Sequence, residues 1–332
     1  MIDSLMALRH KEWEGFAQDI APLNLSNQLP HNPVVGRWPR YAGGEVPYPH
    51  SQYEAKYIFG LKELYQRSQD EKWKERLRDI AEFIVWSQYD ENGYNQMLKI
   101  KEPRWSFGWP THNFPWQSGE VYRWKPYEPH HHEDALSVLA LIYAYEILGD
   151  KKYLERARGW YLKQFPRHGR FPGQWKGNKY FISTYNPQDV PDRNPGVDAV
   201  NNVQSLCAMA IASLGFHAQD AMAIDDAIQL LTYLCREQAQ DGLWHYCSTE
   251  YFRDFGPNYP PLRYEVSYMQ GQMWEMVIAI EYLEKAGATN IEHLIAAVKR
   301  GEEFLRTHEF EKLVVKNSIL EKDDGFIHPQ KI

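Results

Sequence analysis

An all-α protein built from paired helices is what this sequence predicts, on three observations. Apolar residues recur with a helical period through most of the chain, while the strict alternation of a half-buried strand is absent. The helices fall into couples joined by short turns. Long returns separate the couples and share a punctuation mark: Asn92-Gly93-Tyr94, His168-Gly169-Arg170, Asp241-Gly242-Leu243 and Asp324-Gly325-Phe326, with the glycines 76, 73 and 83 residues apart. One helical hairpin per period is the signature of stacked or circularised hairpins whose neighbours share a core.

Taken in order, the pattern places an amphipathic helix over residues 4–18 and an extended arm to residue 49. Hairpin repeats then fill 50–332, the whole chain forming one domain. The couples are 52–68 with 71–88, 133–148 with 151–165, 198–214 with 220–238, and 267–286 with 291–307. The first member is the more apolar all round, as in ALSVLALIYAYEIL and SLCAMAIASLGF; the second is charged on one face, as in KWKERLRDIAEFIVW and KKYLERARGWYLKQF. A helix apolar on every side is buried and one with a polar face meets solvent. The pattern therefore predicts an inner and an outer layer. Inner helices pass to outer ones through short turns near Gly149-Asp150, residues 216–219 and residues 287–290, whereas the returns over 89–132, 166–197 and 239–266 are long.

Composition narrows the partners. The 332 residues carry 37 Lys and Arg against 44 Asp and Glu, a net charge of -7, which argues against a nucleic-acid phosphate backbone. Cys207, Cys235 and Cys247 are too scattered for a disulfide framework and have no CxxC spacing, so they read as small buried residues. The opening MIDSLMALRHKEWEGF has charges where a signal peptide needs its apolar stretch, and the longest apolar run, residues 135–148, is broken by Glu146. These features predict a cytoplasmic protein without a membrane span; a chain whose leader had been removed would read the same and be periplasmic or secreted. Aromatics reach 14%, with 12 Trp and 22 Tyr, although mean hydropathy is -0.62. Rings in such a polar chain exceed what a core requires.

The hairpin architecture, with the phrases QAQDGLWHY followed by VSYMQGQMWEMVIAIEYL and NGYNQML followed by HHHEDALSVLALIYAYEILGD, resembles the α/α-toroid proteins from about residue 50 to the end. That group includes many polysaccharide lyases, glycoside hydrolases, uronyl epimerases and the terpene cyclase toroids. Four to five hairpins are fewer than the six of a closed double barrel, so the resemblance implies an incomplete toroid with an open cleft. It also implies catalysis at the rim where the long returns enter the inner helices. Free N–H groups at those helix N-termini favour an anion such as a substrate carboxylate.

Each return brings chemistry to that rim. WSFGWPTHNFPWQSGEVYRW carries Trp109, Trp116 and Trp124, with Arg104 just before it; flat rings suit the C–H faces of a sugar, or else pin the loop to the barrel. His130 to Asp134 follow at the mouth of an inner helix. There His132 is the candidate acid or base, His131 and Asp134 are candidate substrate contacts, and acidic residues also suit the helix dipole. A divalent metal on the histidine run is a weaker option, because adjacent residues do not converge and no HExxH spacing is present; no cofactor is expected.

The third inner helix opens with Asp198, read as its N-cap, then Asn201 and Asn202 as carboxylate-gripping groups. The phrase is similar to the Asn-Asn-His of some uronate lyases, with Val203 in the histidine's place. The last return supplies Trp244, His245, Tyr246, Arg253, Arg263, Tyr264 and Tyr268, followed by Gln270, Gln272 and Glu275.

Arg or Asn to neutralise a uronate carboxylate, His or Tyr to take the C5 proton and Tyr to protonate the leaving oxygen are the needs of β-elimination. The sequence therefore predicts a lyase on a uronate-containing glycan, with His132, Tyr268, Tyr246 and Asn202 as its catalytic set. A glycoside hydrolase would draw a carboxylate pair from Asp134, Asp198, Glu265 and Glu275. A C5-epimerase is the other close alternative, and SYMQGQ is similar to such enzymes. A terpene-cyclase-like toroid would use the rings for carbocations, but neither DxDD nor DDxxD is present. A non-catalytic glycan-binding toroid remains a further class. The glycan is the one partner expected, and oligomeric state is not legible.

Overall fold

The computed structural model describes residues 51–111, 116–118, 122–124, 126–168, 200–244 and 266–307. The helix expected over 4–18, the arm to 49 and the punctuating Gly169 and Gly325 lie outside them. Among the described residues eight long helices form four couples: α1 (Ser51–Ser68) with α2 (Glu71–Ser87), α3 (His131–Leu148) with α4 (Lys151–Lys163), α6 (Asn201–Ala218) with α7 (Ala221–Glu237), and α8 (Val266–Lys285) with α9 (Glu292–Thr307). A single turn, α5 (Phe165–His168), follows α4. The inner row runs α1, α3, α6, α8, each packed on the next, with α2, α4, α7 and α9 outside it. The core is continuous, from Ile58 and Leu61 through Leu139 and Ile142 to Met209, Ile211, Met276 and Leu283.

Three of the four short turns share one construction. A left-handed residue, Gln69, Gly149 or Gln219, precedes an aspartate, Asp70, Asp150 or Asp220, whose carboxylate accepts from backbone N–H groups of the next helix. An aspartate there satisfies donors that the first turn leaves open. Two outer helices, α2 and α7, also end alike. Gln88 Nε2 donates to the carbonyls of Phe107 and Arg156, and Gln238 Nε2 to those of Gly242 and Ala297, tying α2 to α4 and α7 to α9. Gly93 and Gly242 then turn the chain at φ 72° and 100°, and a Cβ on either would strike a backbone carbonyl, of Glu102 or Arg300. Glycine is the residue that fits such a position. The sequence periodicity thus reflects repeated bonding.

Two short antiparallel hairpins in the first return depart from the helical expectation: β1 (Tyr94–Asn95) with β2 (Ile100–Lys101), and β3 (Trp116–Ser118) with β4 (Tyr122–Trp124). Segments of two or three residues are too short to show alternation in sequence. The third inner helix also differs, starting at Asn201 with Val200 in the cap position. Asp198, expected as its cap, lies outside the described residues.

At the short-turn end the four inner helices converge on Glu146. Lys62 Nζ donates to one of its oxygens at 2.5 Å, while His217 Nε2 and the Tyr282 hydroxyl lie 2.8 Å from the other. Lys62 also rests 3.5 Å from the Tyr143 ring centre. Burial opposes the charge on Glu146, yet the bonds from His217, Lys62 and Tyr282 outweigh it and hold the carboxyl down at about 2. A depressed carboxylate contributes stability above its ordinary 4.5 and loses it as pH falls toward 2. Compared with Glu146→Gln in urea titrations, the wild type should therefore lose about 2 kcal/mol of its advantage across that window, allowing for solvent screening. A difference independent of pH would contradict this account.

Candidate active site at the long-return end

Most buried polar residues of α3, α6 and α8 lie within the first ten residues of their helix. Glu133, Asp134 and Ser137 are buried on α3, Asn201, Gln204 and Ser205 on α6, and Gln272 and Glu275 on α8. Beyond them the buried residues are apolar up to the Glu146 cluster except for Ser213, whose hydroxyl donates to the Ala210 carbonyl of its own helix. Each buried polar group must find a partner or cost about 1–3 kcal/mol, so the partners reveal which groups are structural.

Asp134 is a structural junction. Its two oxygens accept from the Trp109 backbone N–H and the Trp160 indole, both at 3.0 Å, joining the first return and α4 to α3. Only 1% of it is exposed, and burial pushes its carboxyl well above the usual range, against the pull of the two N–H donors. Trp109 is itself fully buried, with its indole donating to the Ile84 carbonyl at 2.8 Å. Trp244 repeats that arrangement, donating to the Leu234 carbonyl at 2.8 Å with 1% exposure. Each acceptor lies four residues before a helix-ending glutamine, Gln88 or Gln238. These two rings serve packing and present no face to a sugar in this conformation, so both correct the expectation of cleft-lining platforms. Asp134, buried and bonded to Trp109 and Trp160, is likewise out of a substrate's reach in this conformation.

Arg104 is exposed at the return's surface, where its guanidinium pairs side-on with Glu102 through two bonds of 3.0 Å. Tyr89 anchors the same return by donating to the Tyr127 carbonyl and packing edge-on against Trp105. Burial raises the Tyr89 phenol above its ordinary range.

On the opposite side of the row, the Ser205 hydroxyl donates to Glu275 Oε2 at 2.5 Å, linking α6 to α8. Cys207 lies between the acidic groups: burial raises its thiol well above normal, and the fields of Asp134 and Glu275 add to the effect. It is an inert buried thiol, and burial likewise raises Cys235 to about 12. Cys247 lies outside the described residues. Asn201 is 1% exposed, whereas Asn202 and Gln270 are partly exposed. Buried Asn202 Oδ1 and Gln272 Nε2 have no hydrogen-bond partner.

His131 and His132 are the first two residues of α3, Tyr268 is the third of α8, and Trp116 and Trp124 lie on β3 and β4. The placement of their side chains is not described. Tyr246, His245, Arg253, Arg263 and Tyr264 fall outside the described residues. Among the described residues no three His, Cys, Asp or Glu side chains come together to hold a metal ion, and no helix is long and apolar enough to cross a membrane. Ser205 and the glutamine staples were missed in the sequence; only the recurrence of Gln at the outer-helix ends signals the latter.

No protein-family model matches the chain, and no curated protein matches it in sequence. Solved structures do match in fold. An unsaturated glucuronyl hydrolase from Bacillus sp. GL1, described as responsible for the degradation of glycosaminoglycan, superposes with a TM-score of 0.53 at 15% identity over 78% of this chain and 62% of its own. A cellobiose 2-epimerase from Spirochaeta thermophila gives 0.51 at 13% over 89% and 72%. A sugar epimerase from a ruminal bacterium gives 0.50 at 13% over 80% and 60%. The fold is an incomplete α/α toroid. The chain spans 62% of the length of the glucuronyl hydrolase it matches, and at these identities the likeness is one of fold. It is a likeness to toroids that act on carbohydrates, as the hairpin phrases imply.

Proposed function

We propose that this toroid is a carbohydrate-active enzyme that handles a uronate-bearing poly- or oligosaccharide at the long-return end of its inner helices. The observation that carries the reading is the concentration of buried carboxylate, amide and hydroxyl groups within the first ten residues of α3, α6 and α8, toward the end where the returns bring in Arg, His, Tyr and Trp. A few fixed polar groups on an otherwise apolar scaffold are what an oriented ligand requires. His132, Tyr268, Tyr246 and Asn202 form the proposed proton-transfer and charge-stabilising set. Arg253, Arg263, Asn201 and the helix N-termini are the proposed carboxylate receptors, with Trp116, Trp124, His131, His245, Tyr264 and Gln270 contacting sugar.

β-Elimination is the reaction this loop chemistry supports. A base removes the C5 proton, the C4–O bond breaks, and a tyrosine returns a proton to the leaving oxygen, giving an unsaturated uronate. A second reading, hydrolysis or epimerisation, is supported by the hydrolase and the epimerases that share the fold. One assay separates these. Incubated with uronate polymers and with their unsaturated oligosaccharides, a lyase creates the unsaturated-uronate absorbance, an unsaturated-glucuronyl hydrolase removes it, and an epimerase changes configuration without altering it. Reducing ends formed from the polymers without that absorbance would replace the lyase by a hydrolase. No change in any uronate or neutral glycan would overturn the proposal.

A further inference from the structure

One bond identifies the face of α8 that looks into the toroid. Tyr282 on α8 reaches past α6 to Glu146 on α3, its hydroxyl 2.8 Å from the carboxylate, so that side of α8 is concave. Seven residues fall within about 20° of two full turns, which puts Glu275 on the same face, about 10 Å nearer the long-return end. Seven residues before Lys62, Glu146 and His217, the other members of the cluster, stand Ala55, Leu139 and Ala210. Of these four positions Glu275 alone is charged. A helical side chain leans over the turn that precedes it, here toward the long returns. Four residues earlier on that turn is Gly271, which is partly exposed and has no side chain to cover the carboxyl; glycine inside a helix costs about 1 kcal/mol against alanine. Ser205 donates from α6 to Glu275 Oε2 at 2.5 Å and fixes the carboxyl, 7% of the residue remaining exposed. Asp134 differs, with an N–H on each oxygen and 1% exposure.

A carboxylate on a cleft wall accepts hydrogen bonds and repels another carboxylate. In a uronate ring the 2- and 3-hydroxyls form the edge opposite C5 and its carboxylate. We propose that Glu275 determines how the sugar is oriented: it accepts from those two vicinal hydroxyls and, by repulsion, turns the uronate's own carboxylate toward the long returns, which carry Arg253 and Arg263. A carboxylate offers about four acceptor sites, of which Ser205 takes one. The reversed pose would set two carboxylates against each other, and such a clash gives orientation as well as affinity. A helix-borne group holds this geometry more closely than a loop-borne one. The role rests on the carbohydrate reading above.

The test titrates methyl β-D-glucuronide and methyl β-D-glucoside calorimetrically into the full chain and into Glu275→Gln, which keeps an oxygen for Ser205 but loses the charge. The variant should bind the glucoside at least tenfold more weakly, since charge-assisted bonds are lost. The glucuronide should lose a smaller factor, because the repulsion goes as well. Preference for glucuronide over glucoside should therefore rise at least threefold, a change that a purely structural role would not produce. Gly271→Ala sets a methyl group above the carboxyl; it should weaken both glycosides at least threefold while the thermal midpoint holds or rises. Unchanged binding by Glu275→Gln, or equal losses for the two glycosides, would overturn the anchor while leaving a sugar site. If the glutamine variant does not fold, unchanged binding by Gly271→Ala overturns it, and a lower midpoint for the alanine variant, marking a packing glycine, does the same. No binding of either glycoside by the wild type would remove the carbohydrate reading and the anchor together.

Discussion

Asp134→Ala should lower the unfolding free energy by about 4 kcal/mol, seen as an earlier urea midpoint at unchanged slope. The size follows from what the carboxylate holds. Two N–H groups, from the Trp109 backbone and the Trp160 indole, point at it from 3.0 Å in a place where only 1% of Asp134 meets solvent. Alanine leaves both donors buried without an acceptor and disconnects three elements, α3, α4 and the first return. Asp134→Asn retains one oxygen for one donor but sets its amide hydrogens against the other, so it should cost about half as much. The pH dependence has a definite sign. Because the folded carboxyl lies above its ordinary 3.8, its contribution is full below that value and declines as pH rises through the raised one. The Asn penalty should therefore be largest in acid. An alanine variant within about 1 kcal/mol of wild type would mean that the two N–H groups have other acceptors.

His132→Ala and Tyr268→Phe should each reduce turnover by about 100-fold to 10,000-fold on the glycan identified by the absorbance assay, the span of general acid or base catalysis. Both residues stand in the first turn of an inner helix, on α3 and α8, at the end the returns enter. Far-ultraviolet circular dichroism should be unchanged. A drop in turnover with unaltered KM would assign the pair to the proton transfers, whereas a raised KM with unaltered kcat would assign them to binding. Full activity in both variants would refute this catalytic set.

The layering and direction of the helices were legible because burial leaves a mark on each segment separately. ALSVLALIYAYEIL is apolar on all sides and lies inside; KKYLERARGWYLKQF has a charged face and lies outside. Direction in turn placed Asn201, Asn202, Gln272 and Glu275 at one end. What each polar group does there was not legible, since it depends on partners far along the chain: Ser205 meets Glu275 across 70 residues, and Tyr282 meets Glu146 across 136. The tryptophans make the same point. A tryptophan in a polar return reads alike whether it faces a sugar or a backbone carbonyl, and Trp109 and Trp244 face Ile84 and Leu234. Helix ends failed where turn chemistry was unusual. The α6 helix, expected over 198–214, runs through Gly215 to Ala218 and turns on Gln219 at φ 51°, a left-handed position filled by a residue other than glycine.

Sugar binding where the long returns meet the inner helices is tested most directly by hydrogen exchange read by mass spectrometry with and without a saturating uronate oligosaccharide. Protection is predicted in peptides covering the starts of α3, α6 and α8, with exchange unchanged around Glu146, His217 and Tyr282 at the opposite end. Protection confined to the Glu146 end would contradict it.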